Sequence, residues 1–479
     1  MQDHDSRELE PAGPEMRRLV ELAVDRIVAH IESLPSQPSV DVQGGVAVAR
    51  SLSEPLPASP TPYQDLLDLL FERAVPKSFN TAGPGYLAYI PGGGLFHTAL
   101  ADLIADTVNR YVGVWAAAPA LVQLEANVGR WFCDIVGYPA SALGLLTSGG
   151  SLANFTAVVT ARRERLPEDF LRGVLYASDQ VHHSVQKAAM LAGFPPQNVR
   201  EVASDTRFRL DLDALSSAIA ADRAAGRTPF LVVGNAGTTN TGAVDDLTAL
   251  AALAAAEGLW LHVDAAYGGF FLLTERGRRI MRGIERADSV TLDPHKGLFL
   301  PYGTGALVVR DGGALRRAHG MHADYLPDLP PETDLVDFSE VSPELSRPFR
   351  GLRVWLPLKM LGLAPFRRAL DEKLDLAAWA AGELRKVDGI EVVAEPDLSL
   401  LAFRLERPGL DGAALDALNR RLLERVNARR RVYLTGTVAH GRFLCRICVL
   451  SFRTHLDRMR AALEDIRAAV GDLEVPRTV

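Results

Sequence analysis

The chain has 479 residues, of which 48 % are hydrophobic and 23 % charged, with a formal net charge of −7. That length can bury at least one large core, the composition is that of a globular enzyme, and the acidic balance argues against a general nucleic-acid binder. The three cysteines (Cys133, Cys445, Cys448) are too few, and odd in number, for a disulfide framework, and fit a reducing, cytoplasmic compartment.

The opening residues, MQDHD, are polar and acidic and lack the basic and apolar regions of a signal peptide. Residues 15–33 carry Leu19, Leu22, Ile27 and Ile31 at helical spacing and predict an amphipathic helix. A Pro/Ser-rich arm over 35–62 and a second helix over 63–74 follow. Such an arm cannot bury enough apolar surface alone, so it is expected to pack on the main body or on another subunit. From about 95 to 312, β-branched runs at 173–177, 230–234, 259–263, 289–292 and 305–309 alternate with Ala/Leu-rich helices at 152–165, 212–225 and 247–257. The alternation predicts an α/β domain with a mostly parallel sheet and a site beyond the strand C-termini. The longest apolar tract, 247–263, is broken at Glu257-Gly258 and reads as helix, turn and strand, not a membrane span.

After about residue 374 the pattern changes. A helix to about 386, strands at 390–394, 398–404, 431–434 and 443–450, and helices at 413–427 and 456–470 predict a smaller α+β domain. Cys445 and Cys448 form a CxxC inside the apolar run 443–450, with no second CxxC or His pair nearby, so a core strand is expected there and no metal site. The basic runs at 278–279 and 429–431 read as solvated helix ends.

Four short segments carry chemistry. Residues 147–154 (TSGGSLAN) run straight into a helix; glycines allow close backbone approach, and free N–H groups at a helix start favour a phosphate. Taken alone, the same segment is an N-cap on Ser151. Residues 262–267 (HVDAAY) end an apolar strand with Asp264, a carboxylate that needs a partner such as a protonated pyridine nitrogen or, more plainly, an internal ion pair. Residues 289–296 (SVTLDPHK) place Lys296 at the end of another apolar strand, where a buried amine becomes available for a Schiff base; the alternative is a surface lysine with a packed stem. Residues 179–184 (DQVHHS) offer an imidazole for stacking or proton transfer, or a structural histidine pair.

In this order the four segments resemble the group II amino-acid decarboxylases, a family of fold-type I pyridoxal 5'-phosphate (PLP) enzymes that includes aromatic-L-amino-acid, histidine and glutamate decarboxylases. The likeness runs along nearly the whole chain. It includes residues 115–119 (WAAAP) with Leu124-Glu125, residues 237–239 (GTT), Asp245, Asp264, residues 294–296 (PHK) and residues 349–353 (FRGLR). It implies a fold-type I large domain at 95–374, an N-terminal helical, dimerisation segment at 1–94 and a small C-terminal α+β domain at 375–479. The cofactor it implies is PLP and the reaction is decarboxylation of an L-amino acid, with an aromatic substrate expected. A homodimer is expected, and neither nucleic acid nor membrane as partner.

Carried over by position, Lys296 forms the internal aldimine and Asp264 pairs with the pyridine nitrogen, making the ring an electron sink for the external aldimine and quinonoid. His182 stacks on the ring, Thr239 and Ala266 line it, and Gly150 and Ser151 hold the phosphate with His295 nearby. Tyr89, Pro91 and Gly113 fall where the family builds its substrate pocket.

The sequence departs from the family at telling places. Phe338 occupies the position of a loop tyrosine that supplies or relays the final proton to Cα, and phenylalanine has no exchangeable proton. Family members with phenylalanine there are aldehyde synthases, which decarboxylate and oxidatively deaminate. Tyr325, the nearest upstream tyrosine, matches a different position. Leu152 replaces an acidic residue, Asp293 replaces a common asparagine near the phosphate, and Gly113 replaces a bulky pocket residue. Simple decarboxylation is the leading expectation. The alternatives are aldehyde synthesis, a PLP aminotransferase (which lacks an evident arginine for a second carboxylate) and a non-catalytic PLP-binding protein.

Overall fold

In the computed structural model, residues 9–321, 335–393 and 395–474 are described. Among them, seven strands form one sheet: β1 (Leu143–Thr147), β2 (Gly173–Ser178), β3 (Val199–Val202), β4 (Thr228–Asn235), β5 (Trp260–Asp264), β6 (Ser289–Leu292) and β7 (Gly305–Val309). Their spatial order is β1-β7-β6-β5-β4-β2-β3. Every neighbouring pair is parallel except those of β7, which runs antiparallel to both β6 and β1. The link between β6 and β7 (residues 293–304) holds a single helical turn, Pro294–Gly297, and the chain returns antiparallel. Strands β2, β5, β6 and β7 are buried along their whole length. Helices cover both faces of the sheet, which explains why these strands appear in the sequence as continuous apolar runs without alternation.

A second, antiparallel sheet has the order β10-β11-β9-β8, built from β8 (Ile390–Val392), β9 (Leu400–Leu405), β10 (Thr435–Ala439) and β11 (Arg442–Cys448). Cys445 and Cys448 sit buried in β11, where the sequence predicts a core strand. The strand expected at 431–434 is not formed. Arg430 takes a positive φ of 61°, Tyr433 makes a single bridge to Tyr86, and regular pairing with β11 begins only at Thr435.

The N-terminal helix Gly13–Ser33 buries none of its residues. Met16, Val20, Val24 and Val28 lie four apart along it and are 40–50 % exposed. The second expected helix is α-helical over Tyr63–Asp68 and widens to a π-helix over Leu69–Ala74. No described helix is long and apolar enough to cross a membrane.

One buried ion pair buckles the large sheet to the segment that precedes the small one. Glu125, on the helix Pro119–Val136, is 1 % exposed and lies 2.5 Å from Arg347 Nη2, whose side chain is fully buried. Arg347 also donates to the carbonyl of Leu146 on β1, and Gly351 N donates to Glu125 Oε2. The Arg347 guanidinium stacks over the Phe338 ring, 4.7 Å from its centroid.

Candidate active site

The C-terminal ends of β1, β4, β5 and β6 share one edge of the sheet, and a cavity of about 290 Å³ opens there. Each end delivers a different group. Beyond β1, Ser148 and Gly149 lead into the helix Gly150–Arg165, whose first turn carries no acidic residue and whose N-cap has no side-chain partner. The first N–H groups and the helix dipole are therefore available to an anion. The backbones are tight at this point: a Cβ on Gly305 of β7 would lie 2.4 Å from the carbonyl carbon of Gly149. Beyond β4, Gly237 takes a φ of 101° and turns the chain so that Thr238 and Thr239 face the cavity. Asp245 braces that turn by accepting from Asn235 N, Asn235 Nδ2 and Leu210 N.

β5 ends on Asp264, which is 8 % exposed. Its Oδ1 accepts from Ala266 N at 3.1 Å and its Oδ2 from Asn154 Nδ2 at 3.0 Å. β6 is followed by Asp293 and the single turn Pro294–Gly297, which carries Lys296 into the cavity. Lys296 Nζ lies 2.8 Å from Asp293 Oδ2, while Asp293 Oδ1 is buried without a hydrogen-bond partner. Burial pulls the lysine pKa down, but the charge and hydrogen bond of Asp293, with the charge of Asp264, outweigh it, and the net shift is upward. His182 caps the helix His183–Leu191 and faces the same space. Burial lowers its pKa against the opposing pull of Asp264, which keeps the ring neutral near pH 7. His295 is likewise lowered by burial, and its Nδ1 donates to the carbonyl of Thr304.

Gly150, Ser151, His182, Thr239, Asp264, Ala266, His295 and Lys296 all line this one cavity. Tyr89, Pro91, Gly113 and Phe338 do not. Tyr89 is half exposed beside the rim, and its carbonyl accepts from Arg446, which also donates to the carbonyl of Thr239 in the cavity wall. Pro91 is buried on the same segment. Gly113 packs under the carbonyl of Leu345, where a Cβ would approach to 2.6 Å. Phe338 is fully buried in a short 3-10 helix, not displayed on an open loop, and Asp337 and Ser339 on either side bond to Trp115 N and to the carbonyl of Gly113. Tyr325 lies outside the described residues.

Sequence reasoning missed Asn154 and Arg446. Asn154 stood inside a segment already singled out, and Arg446 was signalled by a charge in the middle of an apolar strand. Arg446 is 4 % exposed and also donates to the carbonyl of Asn240 and to Thr435 Oγ1, which fastens β11 to the cavity wall.

The donor set suits a phosphorylated pyridine aldehyde. An anion cradle stands at a helix start, a lysine amine at one strand end, a carboxylate already given two N–H donors at the next, and a neutral imidazole across the gap. On a sheet of this topology, that set defines a fold-type I PLP enzyme. Residues 48–406 match the family described as the pyridoxal-dependent decarboxylase conserved domain, and the chain belongs to that family. It is 35 % identical over 474 residues to an aromatic-L-amino-acid decarboxylase of Bacillus atrophaeus, covering 98 % of each chain. Its fold matches Oryza sativa TDC solved with PLP and tryptamine, at a TM-score of 0.92 and 28 % identity over 97 % of this chain and 99 % of that one. Rhodiola rosea 4-hydroxyphenylacetaldehyde synthase follows at a TM-score of 0.89 and 25 % identity, covering 96 % and 99 %. The protein is a PLP-dependent amino-acid decarboxylase, a carboxy-lyase.

Proposed function

We propose that this enzyme decarboxylates an aromatic L-amino acid to the corresponding amine. The observation that carries the site assignment is the convergence of Lys296, Asp264 and His182 on one cavity floored by Gly149–Ser151. The aromatic preference is supported by a cluster of rings around Tyr89 (Phe79, Tyr86 and Tyr433, with Phe79 and Tyr433 at 4.9 Å between centroids), since the Tyr89 carbonyl shares Arg446 with that of Thr239 in the cavity wall. The substrates named for the relatives point the same way.

PLP, when bound, supplies the sink for the electron pair left as CO₂ departs. The rest of the work falls to this chain. Gly150 and Ser151 hold the phosphate at the helix start, with His295 beside them. Lys296 offers the amine that fixes the cofactor, and Asp293 holds that amine's proton until it is needed. Asp264 would hold a proton on the ring nitrogen, Thr239 and Ala266 would line the ring, and His182 would stack on it. Lys296 and His182 both line the cavity, so a proton for Cα is at hand without a tyrosine at position 338. This favours amine over aldehyde as the product.

The test is an assay of PLP-loaded protein with a panel of L-amino acids in air, following CO₂, amine, ammonia and H₂O₂ together. The expected result is CO₂ matched by amine with phenylalanine, tyrosine or tryptophan, and no peroxide. CO₂ from acidic or small substrates alone would sink the aromatic assignment. Peroxide and ammonia equal to CO₂ would make the product an aldehyde, and Phe338→Tyr should then restore amine.

The arm at 1–94 supports a homodimer, because the apolar stripe Met16-Val20-Val24-Val28 needs a cover that the described residues of its own chain do not provide. Sedimentation at micromolar concentration is expected to give twice the chain mass, and Val24→Glu to shift it toward the monomer; a wild-type monomer refutes this. The separate sheets support a large unit at 95–374 and a small one at 375–479, and three buried, unpaired thiols fit a cytoplasmic location.

A further inference from the structure

Behind the cavity lies a chain of hydrogen bonds that runs in one direction. The indole Nε1–H of Trp260 can only donate, and it does so to Ser289 Oγ at 2.8 Å. His262 Nε2 faces Asn154 Oδ1, which can only accept, so the neutral ring takes its proton there and leaves Nδ1 to accept from the Ser289 hydroxyl at 2.8 Å. The Nε2–H of His262 donates to Asn154 Oδ1 at 3.0 Å. Asn154 Nδ2 donates to Asp264 Oδ2 at 3.0 Å. Every link is buried, and His262 stays neutral because burial holds its pKa down at about 4.

Asn154 is also a branch point. Its second amide hydrogen goes to Ser184 Oγ at 2.8 Å, and its oxygen takes a second donor, Thr291 Oγ1, at 2.7 Å. Its hydrogen-bonding capacity is filled. A flipped amide would set its oxygen against the Asp264 carboxylate, so the orientation is fixed by charge. Ser184 in turn donates to His182 Nδ1 at 2.8 Å, which leaves the His182 proton on Nε2. One amide therefore governs two groups on different elements, the strand-end carboxylate and the helix-capping imidazole.

We infer that Asn154 is a positioning residue that sets the protonation pattern of the site, acting as the last donor of the Trp260–Ser289–His262 relay onto Asp264. The inference rests on the assignment of Asp264 to the cofactor's ring nitrogen. Donors aligned in series polarise one another, and donation to a carboxylate favours its charged form. A proton shared between Asp264 and the ring nitrogen is thereby kept on the nitrogen. Removing the relay lets it move to the carboxylate, and the ring loses its electron-withdrawing charge.

The test loads the enzyme with [¹⁵N]PLP and follows the ring-nitrogen chemical shift against pH in the wild type, Asn154→Ala, His262→Phe, His262→Gln and Asp264→Asn. In Asn154→Ala and His262→Phe the midpoint for loss of the nitrogen proton is expected to fall by about one pH unit or more. His262→Gln, which can still donate to Asn154, is expected to keep the wild-type midpoint. Alongside, kcat should fall about 10–100-fold in Asn154→Ala with KM changed less than about threefold, the usual range for residues that orient a ligating group. Wild-type midpoints in Asn154→Ala and His262→Phe, with Asp264→Asn displaced, overturn the relay and leave the Asp264 assignment standing. A wild-type midpoint in Asp264→Asn overturns the assignment itself. Should Asn154→Ala fail to fold, the two His262 variants decide the question.

Discussion

Lys296→Ala is expected to abolish the visible absorption band of lysine-bound cofactor and to lower decarboxylation by roughly 10³–10⁶-fold, the scale on which enzymes lose activity with their covalent nucleophile. Lys296 is the one lysine among the described residues lining the cavity, so no neighbour stands ready to replace it. Asp293→Asn makes the informative contrast. It keeps the amine but removes the charge 2.8 Å from Nζ that holds its pKa up against burial. Only the neutral amine attacks an aldehyde. A lower lysine pKa therefore moves the pH profile of PLP capture to lower pH in Asp293→Asn. Stopped-flow formation of the visible band across pH reads both effects. A retained band in Lys296→Ala would place the cofactor on another amine, and an unmoved profile in Asp293→Asn would remove Asp293 from its capture.

Glu125→Ala is expected to destabilise the fold by about 3–5 kcal/mol, because it leaves the Arg347 guanidinium buried without its counter-charge. The side chains of both partners are within 1 % of complete burial, so solvent does not screen the loss. Arg347 keeps the Leu146 carbonyl and the face of Phe338, but its Nε and Nη1 have no hydrogen-bond partner. The urea midpoint should drop at constant m-value. A change below about 0.5 kcal/mol would show that the segment around Phe338 is held by packing alone.

The sequence exposed the large sheet well because strands buried on both faces are written as unbroken apolar runs, and a polar residue ending such a run is conspicuous. Lys296, Asp264 and the glycines before Ser151 were legible for that reason. Residues 431–434 were misread because an apolar run does not say which partner it pairs with; the partner here, Tyr86, is some 350 positions away. The same blindness hid Arg446, whose carbonyl acceptors lie on two distant segments, and Asn154, whose four partners come from β5, β6 and the start of another helix. Tyr89, Pro91 and Gly113, matched by position to a substrate pocket, and Phe338, matched to a loop tyrosine, likewise do not line the cavity within one chain.

The reach of Arg446 bears on how the protein is made. Its guanidinium joins the carbonyls of Tyr89, Thr239 and Asn240, and the bond to Tyr89 spans 357 positions of chain. Domains fold as they leave the ribosome, N-terminal part first. A nascent chain that has released Lys296 and Asp264 still has a cavity wall with no cation to bind it together, since Arg446 emerges about 150 residues later, at roughly 5–20 residues per second. The cavity wall is thus completed only once β11 has been made, and a chain truncated before β11 would carry the chemical groups of the site without the bolt that holds its wall in place.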